Sequence, residues 1–394
     1  MAVTLRLAQK RTAAISSQQT MPRVLMCSTS YPADLGDWKG LFIRHLADAL
    51  ARRADIGLRL WAPPGELHAA ITPAATARES EWLRRLMRAG GIAHQLRTSK
   101  AKAAVSAVAL LRHLRNAYRR HADVDVYHVN WLQNALPVPA NAKPLLVSVL
   151  GTDMELLRKP FVLPMLRHVF RGHKTIICPN ADWMMAPLRD SFGDLAEIRF
   201  VPFGIDPVWF SIERRPMADG VARWLVVSRL TRAKLGPLFD WCEPLFSGRQ
   251  RQLHLYGPRQ EAIEIPSWVH YHGPATPAEL SRDCFPTAAG LITLSRHAEG
   301  RPQVMLEAMA AGLPIIASRM SAHENIVQHG RTGWLCDAPA DVAAGIDRHE
   351  DPAANRSAGD AARAWSLGEI GTWDDCAGRY VRLYDHLLDA GTDA

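Results

Sequence analysis

The sequence predicts an α/β protein built on parallel sheets, and three observations carry that expectation. With 394 residues the chain has room for two or three domains, each with its own core. Near the amino end, the apolar run Val24-Leu25-Met26-Cys27 is followed by a glycine-containing loop and an amphipathic helix, the opening of a nucleotide-fold unit. A second strand series starts at Arg223-Trp224-Leu225-Val226-Val227 and leads to the most informative stretch, residues 299–318. There Pro302 suits a helix start, where its missing N–H is not needed, Gly312 supplies the stop and Pro314 prevents a restart. Residues 313–317 then read as a short buried strand. Glu299 thus lies just before a helix and Glu307 inside it, above a parallel sheet.

Taken in order, the first strand covers 23–28 and the first helix 41–53, where Phe42, Leu46, Ala49 and Leu50 repeat with a helical period. The loop between them, Gly36-Asp37-Trp38-Lys39-Gly40, lacks the G-x-G-x-x-G spacing of a dinucleotide site, which argues against a nicotinamide enzyme. Gly40 is either a turn glycine or a place where backbone comes close to a ligand. Residues 56–61 form the second strand and 62–77 a loop. Between 78 and 120 the chain is strongly basic: Arg78, Arg84, Arg85, Arg88, Arg97, Lys100, Lys102, Arg112, Arg115, Arg119 and Arg120 face only Glu79 and Glu81. Two amphipathic helices fit the apolar periodicity. Their basic side is either a solvated face or one that docks on anionic lipid headgroups. A nucleic-acid surface is disfavoured, because no recognised nucleic-acid motif or aromatic platform is present.

Strands follow at 126–129, 145–149 and 175–180, with a helix starting at 182. His128 and Asn130 lie toward the carboxyl end of their strand, the end at which ligands gather in open parallel sheets, so His128 is a candidate cleft residue. Asp123-Val124-Asp125 has the D-x-D form of a metal site but precedes its strand, at the wrong end, and is read as chance. In the second half, strands are expected at 223–230, 252–256, 268–270 and 290–295, and helices at 339–349, 354–365 and 373–388.

Apolar residues make up 48% of the chain, as in a folded globular protein, and the net charge of +8 favours anionic partners. The six cysteines form no C-x-x-C pair, which argues against a zinc knuckle or a redox motif and suits a reducing cytoplasm. No apolar run is long enough to span a bilayer, and residues 1–20 read as a loose leader rather than a signal peptide.

The run Glu299-Gly300-Arg301-Pro302 through Glu307-Ala308-Met309-Ala310-Ala311-Gly312-Leu313-Pro314 resembles the donor-site signature of retaining, family-four-like glycosyltransferases (glycosyl transferases group 1). The resemblance covers residues 22–388 and is strongest over 224–335. It implies a GT-B fold, two facing Rossmann-like domains with a cleft between them. An amino-terminal acceptor domain would span 21–206, a nucleotide-sugar domain 207–372, and a helix over 373–389 would cross back to the first domain. It implies a sugar nucleotide, UDP- or GDP-linked, as donor, with no metal and no other cofactor. Arg229 and Lys234 would hold the diphosphate, Glu299 the transferred sugar and Glu307 the donor ribose. Gly40 and Gly257 would let backbone approach the donor. Arg301 is either a contact to acceptor or phosphate, or a simple ion pair. Leu150-Gly151-Thr152-Asp153 is similar to the family's His-Gly-Thr-Asp loop with leucine in place of histidine, and Val201-Pro202-Phe203-Gly204-Ile205-Asp206 to its Val-Pro-Asn-Gly-Ile-Asp junction. The expected activity is transfer to a hydroxyl of a saccharide or lipid-linked acceptor, in polysaccharide or glycolipid synthesis, at the cytoplasmic face of a membrane. An epimerase or other GT-B enzyme, and a basic nucleic-acid-binding protein, are the alternatives.

Overall fold

The computed structural model describes residues 21–389 except 35, 38, 218 and 298. The expected leader over 1–20, Trp38 of the first loop and the Arg97 side chain lie outside the described residues. Strand β1 (Arg23–Cys27) runs through the glycine loop into α1 (Leu41–Ala51), followed by β2 (Gly57–Trp61) and the short β3 (Thr72–Pro73). Then come α2 (Ala77–Arg88), α3 (Gly91–Thr98), α4 (Lys100–Arg120), β4 (Val126–Asn130), β5 (Leu145–Val149), α5 (Val162–Phe170), β6 (Thr175–Pro179), α6 (Met185–Phe192) and β7 (Glu197–Ile198). They make a seven-stranded parallel sheet in the order β3-β2-β1-β4-β5-β6-β7. Strands β4, β5 and β6 are buried along their whole length, as expected of parallel strands covered on both faces.

Two local expectations change. The stretch 62–77, expected as loop, contributes the edge strand β3. The basic stretch forms three helices rather than two, because Gly90 and Gly91 adopt φ 79° and 75° and break the first, while Ser99 caps the third by accepting from the Lys102 N–H.

The second sheet is built from β8 (Arg223–Val227), β9 (Gln252–Tyr256), β10 (Val269–Gly273), β11 (Gly290–Thr293), β12 (Ile315–Ser318) and β13 (Gly333–Cys336). It is also parallel, in the order β10-β9-β8-β11-β12-β13. Its helices include α7 (Leu238–Phe246), α8 (Gln303–Ala310), α9 (Pro339–Glu350) and α10 (Pro352–Trp365). The chain then returns: α11 (Trp373–Asp389) packs on α1 and completes the first core with Trp373, Cys376, Ala377, Tyr380, Val381, Tyr384 and Leu387. Each large apolar side chain buried there contributes roughly 1.5–3 kcal/mol. The two crossings between domains run side by side, with the Ile205 N–H donating to the Gly371 carbonyl at 3.0 Å.

His128 is a correction. It is fully buried, and its ring lies beneath α11 rather than in the cleft. Nδ1 is 2.6 Å from the Tyr384 hydroxyl and Nε2 is 2.8 Å from the Ser148 hydroxyl, so both ring nitrogens are already bonded. Burial pushes its pKa down to about 3, which keeps it neutral at physiological pH. The ring joins the sheet to the returning helix and has no atom left for a substrate. Asp123 and Asp125 are ion-paired with Arg59 and Arg23, in line with their placement before the strand.

Candidate active site

Arg229 follows the carboxyl end of β8, and the Thr231 side chain then caps a short helical turn by accepting from the Lys234 N–H at 3.2 Å. That turn is pressed against the segment after β11. The Arg296 N–H donates to the Ala233 carbonyl at 2.8 Å, and a Cβ on Gly236 would sit 2.0 Å from the Leu294 oxygen. Gly236 has φ 55°, so the spacing Lys234-Leu235-Gly236 puts the glycine where two backbones touch. The result is an ion pair between Lys234 Nζ and Glu299 Oε1, with the two side chains only 14% and 17% exposed. Burial lowers the Lys234 pKa, and Glu299 opposes that shift. His297, next to this pair, is also pushed down, first by burial and then by Lys234.

The opposite wall comes from the first domain. Phe42, Trp131, Leu150, Thr152, Asn180 and Phe203 face Arg229, Lys234, His297, Glu299, Arg301 and Gln303 across a cleft of about 240 Å³. The two walls meet where a Cβ on Gly151 would lie 2.1 Å from the Gly300 nitrogen, with Gly151 at φ 106°. The Asp153 carboxylate holds this loop by accepting from the backbone N–H groups of Leu132, Leu150 and Gly151. Burial raises Asp153 to about 6 despite those bonds. Trp183 fastens the contact, donating from its backbone N–H to Asn325 Oδ1 at 2.9 Å and from Nε1 to the Gly300 carbonyl at 3.0 Å.

Arg229, Lys234 and Glu299 are therefore brought together. Glu307 is one turn beyond Gln303 on α8, and burial and then the charge of Asp206 raise its pKa to about 7. Gly40 caps α1 at φ 74°, and a Cβ there would be 2.7 Å from the Ser30 carbonyl carbon. Gly257, at φ 140°, would place a Cβ 1.7 Å from the Ser228 oxygen, beside Arg229. Both glycines are required by the packing of loops. Arg301 donates to the Asn325 carbonyl at 3.1 Å and its guanidinium lies 5.4 Å from the Phe200 ring centre, so it joins the contact between domains rather than a simple ion pair. Sequence reasoning missed Phe42, Trp131, Asn180, His297 and Gln303 as cleft residues. His297 and Gln303 had a signal, lying two residues before Glu299 and four before Glu307; Phe42 on α1, and Trp131 and Asn180 just past the ends of β4 and β6, are brought together only by the fold.

Glu307 gives a pH prediction. The folded state holds this proton up to about 7, whereas an unperturbed glutamate releases it near 4.5. Between those values the folded state binds more protons than the unfolded one, so stability falls as pH rises. Glu307→Gln removes the burden. We expect the ligand-free variant to exceed wild type by on the order of 2 kcal/mol at pH 8 and to match it at pH 4.5. Thermal unfolding at both pH values checks this, and an equal difference at the two would refute it.

Two parallel Rossmann-like sheets facing across a cleft, with cations and a glutamate at the carboxyl ends of the second sheet's strands, define the GT-B class. Residues 223–350 match the family model of glycosyl transferases group 1. N-acetyl-alpha-D-glucosaminyl L-malate synthase of Bacillus anthracis is 36% identical over 103 residues, 25% of this chain and 26% of that relative's length. Sucrose-phosphate synthase from Thermosynechococcus elongatus superposes with a TM-score of 0.69 at 17% identity, over 94% of this chain and 100% of that one. HepE from Anabaena, solved in complex with UDP, gives 0.66 at 13% identity, over 93% and 100%.

Proposed function

We propose that the protein is a retaining glycosyltransferase that moves a sugar from a UDP- or GDP-sugar to a hydroxyl of a saccharide or lipid-linked acceptor. The observation that carries this reading is the Lys234–Glu299 pair beside Arg229, held in the cleft between two nucleotide-type domains. A departing nucleoside diphosphate gains negative charge as its bond to the sugar breaks, and fixed cations stabilise it. Arg229 can bind phosphate bidentately, and Lys234 acts as a point charge. On donor binding Lys234 turns to the diphosphate and Glu299 is released to orient the sugar hydroxyls. Glu307, ionised, accepts from the ribose hydroxyls. A donor phosphate oxygen takes the acceptor's proton on the face from which the nucleotide leaves, giving retention. Among the described residues no group of three or more His, Cys, Asp or Glu is placed to hold a metal. The test is a screen of nucleotide sugars for binding and slow hydrolysis, with and without chelator. We expect one nucleotide class to bind in chelator; no binding by any of them, or activity restored only by one cation, would overturn the reading.

The acceptor side includes the face of α4. Val105, Val108, Arg112, Arg115 and Arg119 follow a helical spacing, and all are exposed, Val105 at 71% and Val108 at 51%. An apolar start and a basic continuation on one stripe fit a helix lying flat on an anionic bilayer, where each cation contributes up to about 1 kcal/mol. Arg84 and Arg85, by contrast, both pair with Glu81. No helix among the described residues is long and apolar enough to cross a membrane. We expect co-sedimentation with anionic vesicles that weakens with salt and falls when Arg112, Arg115 and Arg119 become glutamine. Equal recovery with neutral and anionic vesicles would end the membrane reading.

A further inference from the structure

The second-domain wall of the cleft carries a histidine whose ring is still free. His297 is half-buried and lines the cleft together with Arg229, Lys234 and Glu299. Among the described residues neither of its ring nitrogens has a hydrogen-bond partner, and neither is sealed from the cleft. The histidine behind the Lys234–Glu299 pair is different. His323, on the short turn Ser321–Glu324, is fully buried, and its Nδ1–H donates to the Ser318 carbonyl at 2.8 Å.

The backbone fixes where this ring stands. The His297 N–H donates to the Ser295 hydroxyl at 3.1 Å, and the Ser295 carbonyl accepts from the Ser318 hydroxyl at 2.6 Å. On the other side Arg296 is tied to Ala233 and Gly236 is pressed on Leu294. The segment leaving β11 is therefore held by the loops that leave both neighbouring strands, β8 and β12.

Four charged groups act on the ring. Lys234 and Arg229 oppose a charged imidazole, whereas Glu299 and, from the first-domain segment Thr152–Arg158, Glu155 favour one. Burial is the largest influence and sides with the cations, so the ring is neutral at pH 7 in the ligand-free protein. A diphosphate bound to Arg229 and Lys234 cancels the two opposing charges and brings acceptor oxygens beside the ring, which reverses the balance.

We propose that His297 is a further contact to the donor, which takes a proton from solvent when the diphosphate binds and then donates from a ring nitrogen to a phosphate oxygen. The inference rests on the transferase reading and adds to it a residue whose charge arrives with the ligand. The imidazole lone pair accepts the proton on binding, and the imidazolium returns it to solvent when the diphosphate departs, so none is consumed over a turnover. A permanent third cation at this place would compete with Lys234 for Glu299 in the ligand-free protein; a histidine does not.

Calorimetry of UDP and GDP binding to the full chain tests it, at pH 7 in phosphate, HEPES and Tris, whose heats of ionisation differ. The change of binding enthalpy with buffer counts the protons taken up. We expect wild type to take up about half a proton more than His297→Asn or His297→Gln. Any proton that the nucleotide itself exchanges is common to all three proteins and drops out of the difference. Binding that takes up a proton weakens as pH rises, so wild type should bind about tenfold more tightly than the variants at pH 6 and within about twofold of them at pH 8.5. A merely structural role would weaken binding equally at both. Histidine Cε1 resonances of the wild type give a reading that needs no variant: at pH 7 at least one should move toward the imidazolium position when the nucleotide is added. Equal proton uptake in all three proteins, an affinity loss that is the same at both pH values, or no such movement would overturn the role of His297 while nucleotide binding persists. Absence of UDP and GDP binding in the wild type would instead overturn the transferase reading, and this inference with it.

Discussion

Lys234→Ala should lower sugar transfer by about 100- to 1000-fold, the loss typical of removing one preorganised group that meets developing charge. Two effects combine. The departing diphosphate loses a cation held in a largely water-free site, and Glu299 is left partly buried without its partner. An unpaired buried carboxylate is destabilising, so the ligand-free variant should also melt earlier than wild type. Lys234→Arg keeps the charge and should restore the melting temperature more fully than the rate, because a planar fork does not reproduce a point charge. The rate is read with the donor found in the nucleotide-sugar screen, and stability by thermal unfolding. Transfer at the normal rate in Lys234→Ala would place the diphosphate clamp elsewhere.

His128→Ala should instead act on stability. Removing the ring leaves a cavity under α11 and strips the Tyr384 and Ser148 hydroxyls of one partner each. Such changes cost about 2–5 kcal/mol for the cavity, with more for the orphaned polar groups. We expect an early loss of the first domain's fold on heating. At a temperature where the variant is still folded, transfer should stay within twofold of wild type. A large fall in rate with an unchanged melting profile would return His128 to the catalytic machinery.

The contrast between these two residues shows what could be read from the chain. Arg229, Lys234 and Glu299 lie within or beside local patterns, strand then polar loop then helix, and the carboxyl end of a parallel strand points its loop toward the cleft. For them, local pattern together with the family resemblance was enough to expect a place beside the cleft, where the structure puts them. His128 sits on a strand buried on both faces. Which face it looks toward depends on a helix that begins 245 residues later in the sequence, and no local periodicity reports that. Trp131 and Asn180 are similar cases, since a positive φ at a tryptophan and an orphaned amide oxygen are properties of the assembled loops. The break between α2 and α3 is different: the pair Gly90-Gly91 stood in the sequence, but the apolar periodicity on both sides concealed it.

The returning helix α11 also dictates an order of events during synthesis. The first domain's core includes Trp373, Tyr380, Tyr384 and Leu387, residues that leave the ribosome after every strand of the second domain. The second domain's strands, covering helices and core are complete by Ile370. Although its sheet is made first, the first domain must wait with one face uncovered while its neighbour finishes. Exposed apolar surface of this kind invites aggregation during folding. The domain made second is the first able to close its core, and the last seventeen-residue helix seals the domain made first.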